Sequence, residues 1–138
     1  MKPIMVDSGP LIALFNKSDK YYLASVDFIS KNNRQLVTTV ANITEAVYVL
    51  DYSKKAQAAF LKWISESSII IESIDSKEIN EIATLFEKYS NVPMDFADAC
   101  IVYVAERLQT NEIITVDSDF EIYRLKGNRQ FKNLLKIK

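Results

Sequence analysis

The sequence contains no histidine. That absence removes imidazole general bases, Ser-His triads and the usual zinc sites at one stroke. A single cysteine, Cys100, excludes an intrachain disulfide, and its apolar neighbours Ala99, Ile101 and Val102 mark it as a small core side chain. Two glycines and three prolines leave little room for flexible linkers, and there is no low-complexity segment or internal repeat. No apolar run reaches the roughly 20 residues of a membrane span. Met1-Lys2-Pro3 leads straight into a strand-like run where a signal peptide would stand, so no membrane association and a cytoplasmic location are expected. Neither sign of charge dominates, because 17 basic and 18 acidic residues leave a net charge of −1. The chain as a whole is therefore not an electrostatic nucleic-acid binder.

What remains is an ordinary globular composition, 49 % hydrophobic and 25 % charged over 138 residues, which predicts one α/β domain spanning residues 1–138. Pro3–Val6 reads as a buried strand. Ser8 is a candidate helix cap, with Pro10 in the first turn of a helix carrying Leu11, Ile12, Leu14 and Phe15. A helix is predicted over 21–31, a strand over 36–39, and helices over 42–51 and 53–67. A strand follows over 68–71, then a helix from Asp75 or Ser76 to about Ser90. Asp95 caps a helix running to Leu108, and 112–116 is a strand. Segments 122–125 and 131–135 are candidate short strands. Strands rich in Val and Ile and separated by helices predict a three-layer α/β/α sandwich around a central parallel sheet.

In such sheets ligands bind beyond the carboxyl ends of the strands, and acidic residues stand at those places. Asp7 ends Ile4-Met5-Val6, and Asp117 ends Ile113-Ile114-Thr115-Val116 with Asp119 close behind. Glu45 follows the run Leu36–Thr39, and Asp98 lies within the apolar stretch Phe96–Val102. Each has a conformational explanation beside a chemical one. Asp7 could cap a helix, although Ser8 is available for that. Asp95 and Asp98 have the spacing of a capping box. Asp117 and Asp119 suit an Asx turn. Glu45 points away from the apolar face made by Val40, Ile43, Ala46, Val47 and Leu50, which by itself reads as solvent-facing. Together, however, carboxylates at strand ends and helix starts are what a hard divalent cation requires.

The strings Met5-Val6-Asp7-Ser8-Gly9-Pro10-Leu11-Ile12-Ala13-Leu14-Phe15, Thr44-Glu45-Ala46-Val47, Pro93-Met94-Asp95-Phe96-Ala97-Asp98-Ala99-Cys100-Ile101-Val102 and Thr115-Val116-Asp117-Ser118-Asp119-Phe120, in this order and spacing, resemble the PIN-domain family, with the compact prokaryotic VapC-type toxins the nearest pattern. The resemblance implies a PIN-like fold and a Mg²⁺- or Mn²⁺-dependent endoribonuclease. Its acids fall on Asp7, Glu45, Asp98 and Asp117. Asp7, Asp98 and Asp117 would hold metal, and Ser8, Asp95, Thr115 and Asp119 would support them. It further implies an RNA substrate, an antitoxin protein partner and a homodimer.

From Glu121 onward one acid faces six bases, Arg124, Lys126, Arg129, Lys132, Lys136 and Lys138. Arg124, Lys126 and Arg129 are candidate RNA contacts, against the alternative of a solvated terminal segment. Tyr21, Tyr22, Tyr48, Tyr52, Phe60 and Trp63 are candidates for a partner surface, with core packing the favoured reading of each. Two other acidic-rim enzymes fit poorly. A haloacid-dehalogenase-type phosphatase needs an Asp where Gly9 stands, and a receiver domain needs paired acids where Asp7 stands alone. A housekeeping RNA-processing nuclease and a catalytically silent RNA- or protein-binding domain remain as alternatives.

Overall fold

In the computed structural model, which describes residues 1–136, strands and helices alternate along most of the chain. β1 (Ile4–Val6) leads into α1 (Ser8–Ala13), and α2 (Tyr22–Lys31) precedes β2 (Leu36–Thr39). Next come α3 (Val40–Val49), α4 (Lys54–Glu66), β3 (Ile70–Glu72), α5 (Ile79–Lys88), α6 (Phe96–Arg107) and β4 (Glu112–Ile114). A short hairpin, β5 (Arg124–Leu125) with β6 (Arg129–Gln130), comes before β7 (Lys132–Asn133).

The main sheet has the order β3-β2-β1-β4-β7, and every pair in it is parallel. Side chains alternate across a strand, and here they alternate between two cores. Ile4 and Val6 of β1, Leu36 of β2 and Ile114 of β4 pack with Leu11, Ala46, Phe60 and Ile64 from α1, α3 and α4 and with Leu50 at the end of α3. Met5, Val37 and Ile113 point the other way, toward Ile82 of α5 and Ala99, Ile101, Val102 and Ala105 of α6. Both faces of the sheet are covered at its centre, which explains why β1, β2 and β4 are buried and mostly apolar while the edge strands β3 and β7 are exposed. The expected α/β/α sandwich is therefore present.

Several boundaries differ from the sequence expectation for local reasons. Ser8 is not the cap of α1: Asp7 occupies the cap position and Ser8 is already helical. α3 begins two residues early, because the Thr39 side chain accepts the Asn42 N–H at 3.2 Å. α5 begins late, at Ile79, after a turn in which Asp75 and Glu78 exchange backbone-to-carboxylate hydrogen bonds of 2.9 and 3.1 Å. β4 stops at Ile114 because Thr115 pairs with the Asn133 side chain instead of continuing the ladder. The terminal strands are also shorter than expected, and Lys138 lies outside the described residues.

Among the aromatic candidates, Phe60 is fully buried and Trp63 packs edge-on against Phe15 at 5.9 Å. Tyr48 and Tyr52 depart from the core reading, being 75 % and 62 % exposed. Among the described residues no helix is long and apolar enough to cross a membrane.

Candidate active site

The carboxyl ends of β1, β2 and β4 form one rim, and the acidic residues collect there. Asp7 follows β1 directly, and its backbone N–H closes onto the Ile114 carbonyl of β4 at 3.1 Å. The residue is 4 % exposed, and its side chain does not cap α1. Instead Oδ1 accepts from Asn42 Nδ2 at 3.2 Å, and Oδ2 accepts from Thr115 Oγ1 at 2.7 Å. α1 passes close to Val116 at Gly9, where a Cβ would stand 2.3 Å from Val116 Cγ2.

Asp98 reaches the same rim from the first turn of α6. Both explanations of its position hold at once. Asp95 Oδ1 accepts the Asp98 N–H at 2.8 Å, and Asp98 Oδ2 accepts the Asp95 N–H at 3.3 Å, a complete capping box. The same Oδ2 accepts from the buried hydroxyl of Tyr123 at 3.3 Å. Asp117 likewise serves a turn, its Oδ1 accepting the Asp119 N–H at 2.9 Å, while its own N–H donates to Thr115 Oγ1 at 3.0 Å. Thr115 thus ties Asp7 to the Asp117 turn. Glu45 is half-buried on α3, beside the Ser8 hydroxyl and the Asp95 carboxylate.

The electrostatics show that these groups share one space. Burial pushes Asp7 up to about 6, with the charges of Asp117 and Glu45 adding to it and the Thr115 hydrogen bond opposing it. Burial likewise pushes Asp98 up to about 8, with Asp95, Asp7 and Asp117 all contributing. Glu45 is raised by burial and then by Asp95 and Asp117, and Asp119 by burial and Asp117. Cys100 beneath them is raised to about 11 by burial and by Asp95, consistent with an inert core thiol. Among the described residues, no three acidic or cysteine side chains are already drawn into a closed ligand set.

Three features were not anticipated from the sequence. Asn42 is fully buried and spans the site, its Nδ2 donating to Asp7 and, at 2.8 Å, to Ser8 Oγ, while Thr39 Oγ1 donates to its Oδ1. Tyr123 is fully buried between Tyr89 and Phe120, with ring centroids at 5.1 and 5.0 Å. A groove of about 720 Å³ runs beside Glu45 and Asp95, walled by Val40, Tyr48, Ile79 and Phe96. The basic candidates lie elsewhere. The Arg124 guanidinium folds onto the carbonyls of Glu121, Ile122 and Tyr123, and Lys126 borders a separate cavity between α5 and α6. Arg129 is exposed in β6.

A parallel sheet with a carboxylate rim of this kind defines a class, and comparison with known proteins identifies it. The family model described as PIN domain matches residues 4–126, and the chain belongs to that family. Among individual proteins, the chain is 24 % identical over 131 residues to Ribonuclease VapC26 of Mycobacterium tuberculosis, covering 93 % of this chain and 97 % of the relative. The fold is similar to that of Mycobacterium tuberculosis VapC20, a sarcin-ricin-loop-cleaving toxin, with a TM-score of 0.80 and 16 % identity over 86 % of this chain and 93 % of that one. It is also similar to VapBC2 of Rickettsia felis, solved bound to a DNA fragment from its promoter, with a TM-score of 0.63 and 20 % identity over 95 % and 98 % of the two chains.

Proposed function

We propose that this chain is an endoribonuclease dependent on Mg²⁺ or Mn²⁺, and that it serves as the toxin of a toxin–antitoxin pair. The observation that carries this reading is the convergence of Asp7, Glu45, Asp98 and Asp117, from four separate elements, on one rim, where burial and neighbouring acids raise the proton affinity of Asp7, Glu45 and Asp98. The donor set suits such a cation. Every candidate ligand is a hard carboxylate oxygen, and positive charge relieves the repulsion. When bound, the cation supplies an activated water and screens the phosphodiester's charge.

The remaining work falls to the chain's own residues. Asn42 and Thr115 hold both oxygens of Asp7, so its carboxylate is presented without side-chain freedom. Asp95 and Tyr123 fix Asp98. Glu45, more accessible than Asp7 and Asp98, orients water entering in line with the leaving 3′-oxygen, which leaves 5′-phosphate and 3′-hydroxyl ends. Exposed apolar residues around the groove, Val40 at 51 %, Phe96 at 46 % and Tyr48 at 75 %, support a protein partner there, an antitoxin segment or a second copy. The names of the relatives, a ribonuclease and a toxin, support the same reading.

The test is cleavage of a structured RNA with and without divalent metal. Cleavage that needs Mg²⁺ or Mn²⁺ and is lost in Asp7→Asn, with the circular dichroism spectrum unchanged, is expected. Full activity in an Asp7→Asn, Asp98→Asn double variant would refute it. Growth arrest on expression, relieved by the product of an adjacent small gene, separates the toxin role from housekeeping RNA processing.

A further inference from the structure

Resting on the nuclease reading above, we infer that a small cavity beside Asp117 is a subsite for one unpaired nucleobase of the RNA strand, and that it selects a base with an exocyclic amine over uracil. The strand order sets up the argument. The 720 Å³ groove lies at the β2–β3 side of the rim, where it includes Thr39 and Glu72. A second cavity of about 270 Å³ lies at the β4–β7 side, with Thr115 and Asp117 in its wall. Asp7, on β1, stands between the two. A strand whose phosphodiester is held at the carboxylates must lay its neighbouring nucleotides toward these two concavities. The smaller falls just below the usual range for sites that enclose a drug-sized ligand, roughly 300–1,000 Å³, and suits a single planar ring system.

Its walls have the chemistry for a base. Tyr21 and Phe131 both line it, and both are half-buried. Phe131 is braced edge-on by Phe120, with centroids 5.5 Å apart and planes at 90°. Tyr21 is fixed through its backbone, its N–H donating to Asp19 Oδ1 at 2.8 Å and its carbonyl accepting from Ser25 N–H at 3.0 Å. Stacking on such rings accepts any base. Lys20 Nζ stands 5.0 Å from the Tyr21 centroid, within reach of the phosphate a stacked nucleotide would carry.

Discrimination comes from the polar walls. Glu121 and Asp117 offer carboxylate acceptors, and among the described residues no lysine or arginine lines the cavity. Asp117 Oδ1 accepts the Asp119 N–H and the same carboxylate is assigned to the cation above, so the selecting role falls to Glu121. Adenine, cytosine and guanine each bring an amine that can donate to it. Uracil offers a single donor on its Watson–Crick edge, its N3–H, flanked on both sides by carbonyl oxygens, so a carboxylate that accepts from it is brought against one of them.

The experiment uses short single-stranded oligoribonucleotides in which each position flanking the cleaved bond is varied in turn. Wild-type protein should show, at one position, reduced kcat/KM for uridine. Stacking on an aromatic ring is worth roughly 1–3 kcal/mol, so Tyr21→Ala should raise KM about 5- to 150-fold with kcat little changed, and Tyr21→Phe should restore it. Glu121→Gln should narrow the kcat/KM ratio between the other bases and uridine. If wild type cleaves but Tyr21→Ala and Glu121→Gln leave KM and base preference unmoved, the subsite is overturned. If wild type cleaves nothing, the nuclease reading fails, and the subsite is judged by binding alone. Oligonucleotides carrying 2-aminopurine at successive positions should be quenched at one position by wild type and Tyr21→Phe but not by Tyr21→Ala. Equal quenching by all three proteins refutes the subsite in that case too.

Discussion

Asp98→Asn should stabilise the metal-free protein at alkaline pH, even though it removes a group assigned to the active site. The sign follows from proton linkage. In the folded chain Asp98 holds its proton up to about 8, against 3.8 for an ordinary aspartate. Between those values the folded state binds more protons than the unfolded state, so stability falls as pH rises through the window and stays low above it. At about 1.4 kcal/mol per tenfold change in proton affinity, the ceiling on this loss is ~6 kcal/mol. The site opens to solvent beside the groove, so screening reduces it to roughly 2–3 kcal/mol. Asparagine keeps one carbonyl oxygen for the Asp95 N–H but is the poorer capping-box partner, which costs about 1 kcal/mol. The net gain of ~1–2 kcal/mol corresponds to about 3–8 °C in Tm for a chain of this size. The assay is thermal unfolding of both proteins in chelator at pH 4.5 and pH 8.5, repeated with millimolar Mn²⁺. The variant should be no more stable than wild type at pH 4.5 and more stable at pH 8.5. Mn²⁺ should raise the wild-type Tm at pH 8.5 and leave the variant nearly unmoved. A variant less stable than wild type at pH 8.5, with equal Mn²⁺ shifts in both, would show that the carboxylates do not share a charged site.

Two further perturbations test the scaffold around the acids. Gly9→Ala would set a methyl group 2.3 Å from Val116 Cγ2 and should cost roughly 1–3 kcal/mol by chemical denaturation, with Val116→Ala restoring most of it; equal loss with and without the second change would rule out that contact as the cause. Thr115→Val keeps the shape but removes the donor to Asp7 and the acceptor for the Asp117 N–H. It should cost about 1–3 kcal/mol of stability and lower kcat more than it raises KM, measured in parallel on one RNA substrate.

The architecture was legible because it rests on local signals that tertiary structure had no reason to override. β1, β2 and β4 are continuous apolar runs because both of their faces are covered, and the helices between them carry apolar residues at helical spacing. The candidate acids were legible for a related reason, since strand ends are identifiable places. What could not be read was which donors hold them. Asn42 sits in the first turn of α3, where a polar residue is unremarked, yet its partners Asp7 and Ser8 are 35 and 34 residues away. Tyr123 meets Asp98 across 25 residues. Periodicity placed Glu45 off the apolar face of its own helix, which is right, but cannot report that α1 and α6 bring Ser8 and Asp95 up to that face. The basic residues after Glu121 were visible as charge, while the tight turn that folds Arg124 back onto three carbonyls was not.

The capping and acidic readings of Asp98 and Asp117 seemed to compete when only the sequence was in view. In the fold they depend on each other. A carboxylate needed for charge has to be held against repulsion from its neighbours, and the least flexible anchor available is the unpaired N–H of a helix or turn start. Asp98 takes the N–H of Asp95, and Asp117 takes that of Asp119. Asp7 stands at a helix start too, yet gives up the cap and takes side-chain donors from Asn42 and Thr115. Both kinds of anchor leave oxygen lone pairs facing the shared space, because a carboxylate has about four acceptor sites and these contacts use one or two of them. The rim therefore keeps open acceptor sites where the backbone geometry alone would have been content with serine or asparagine, and gathering buried carboxyls there raises the proton affinities of Asp7 and Asp98.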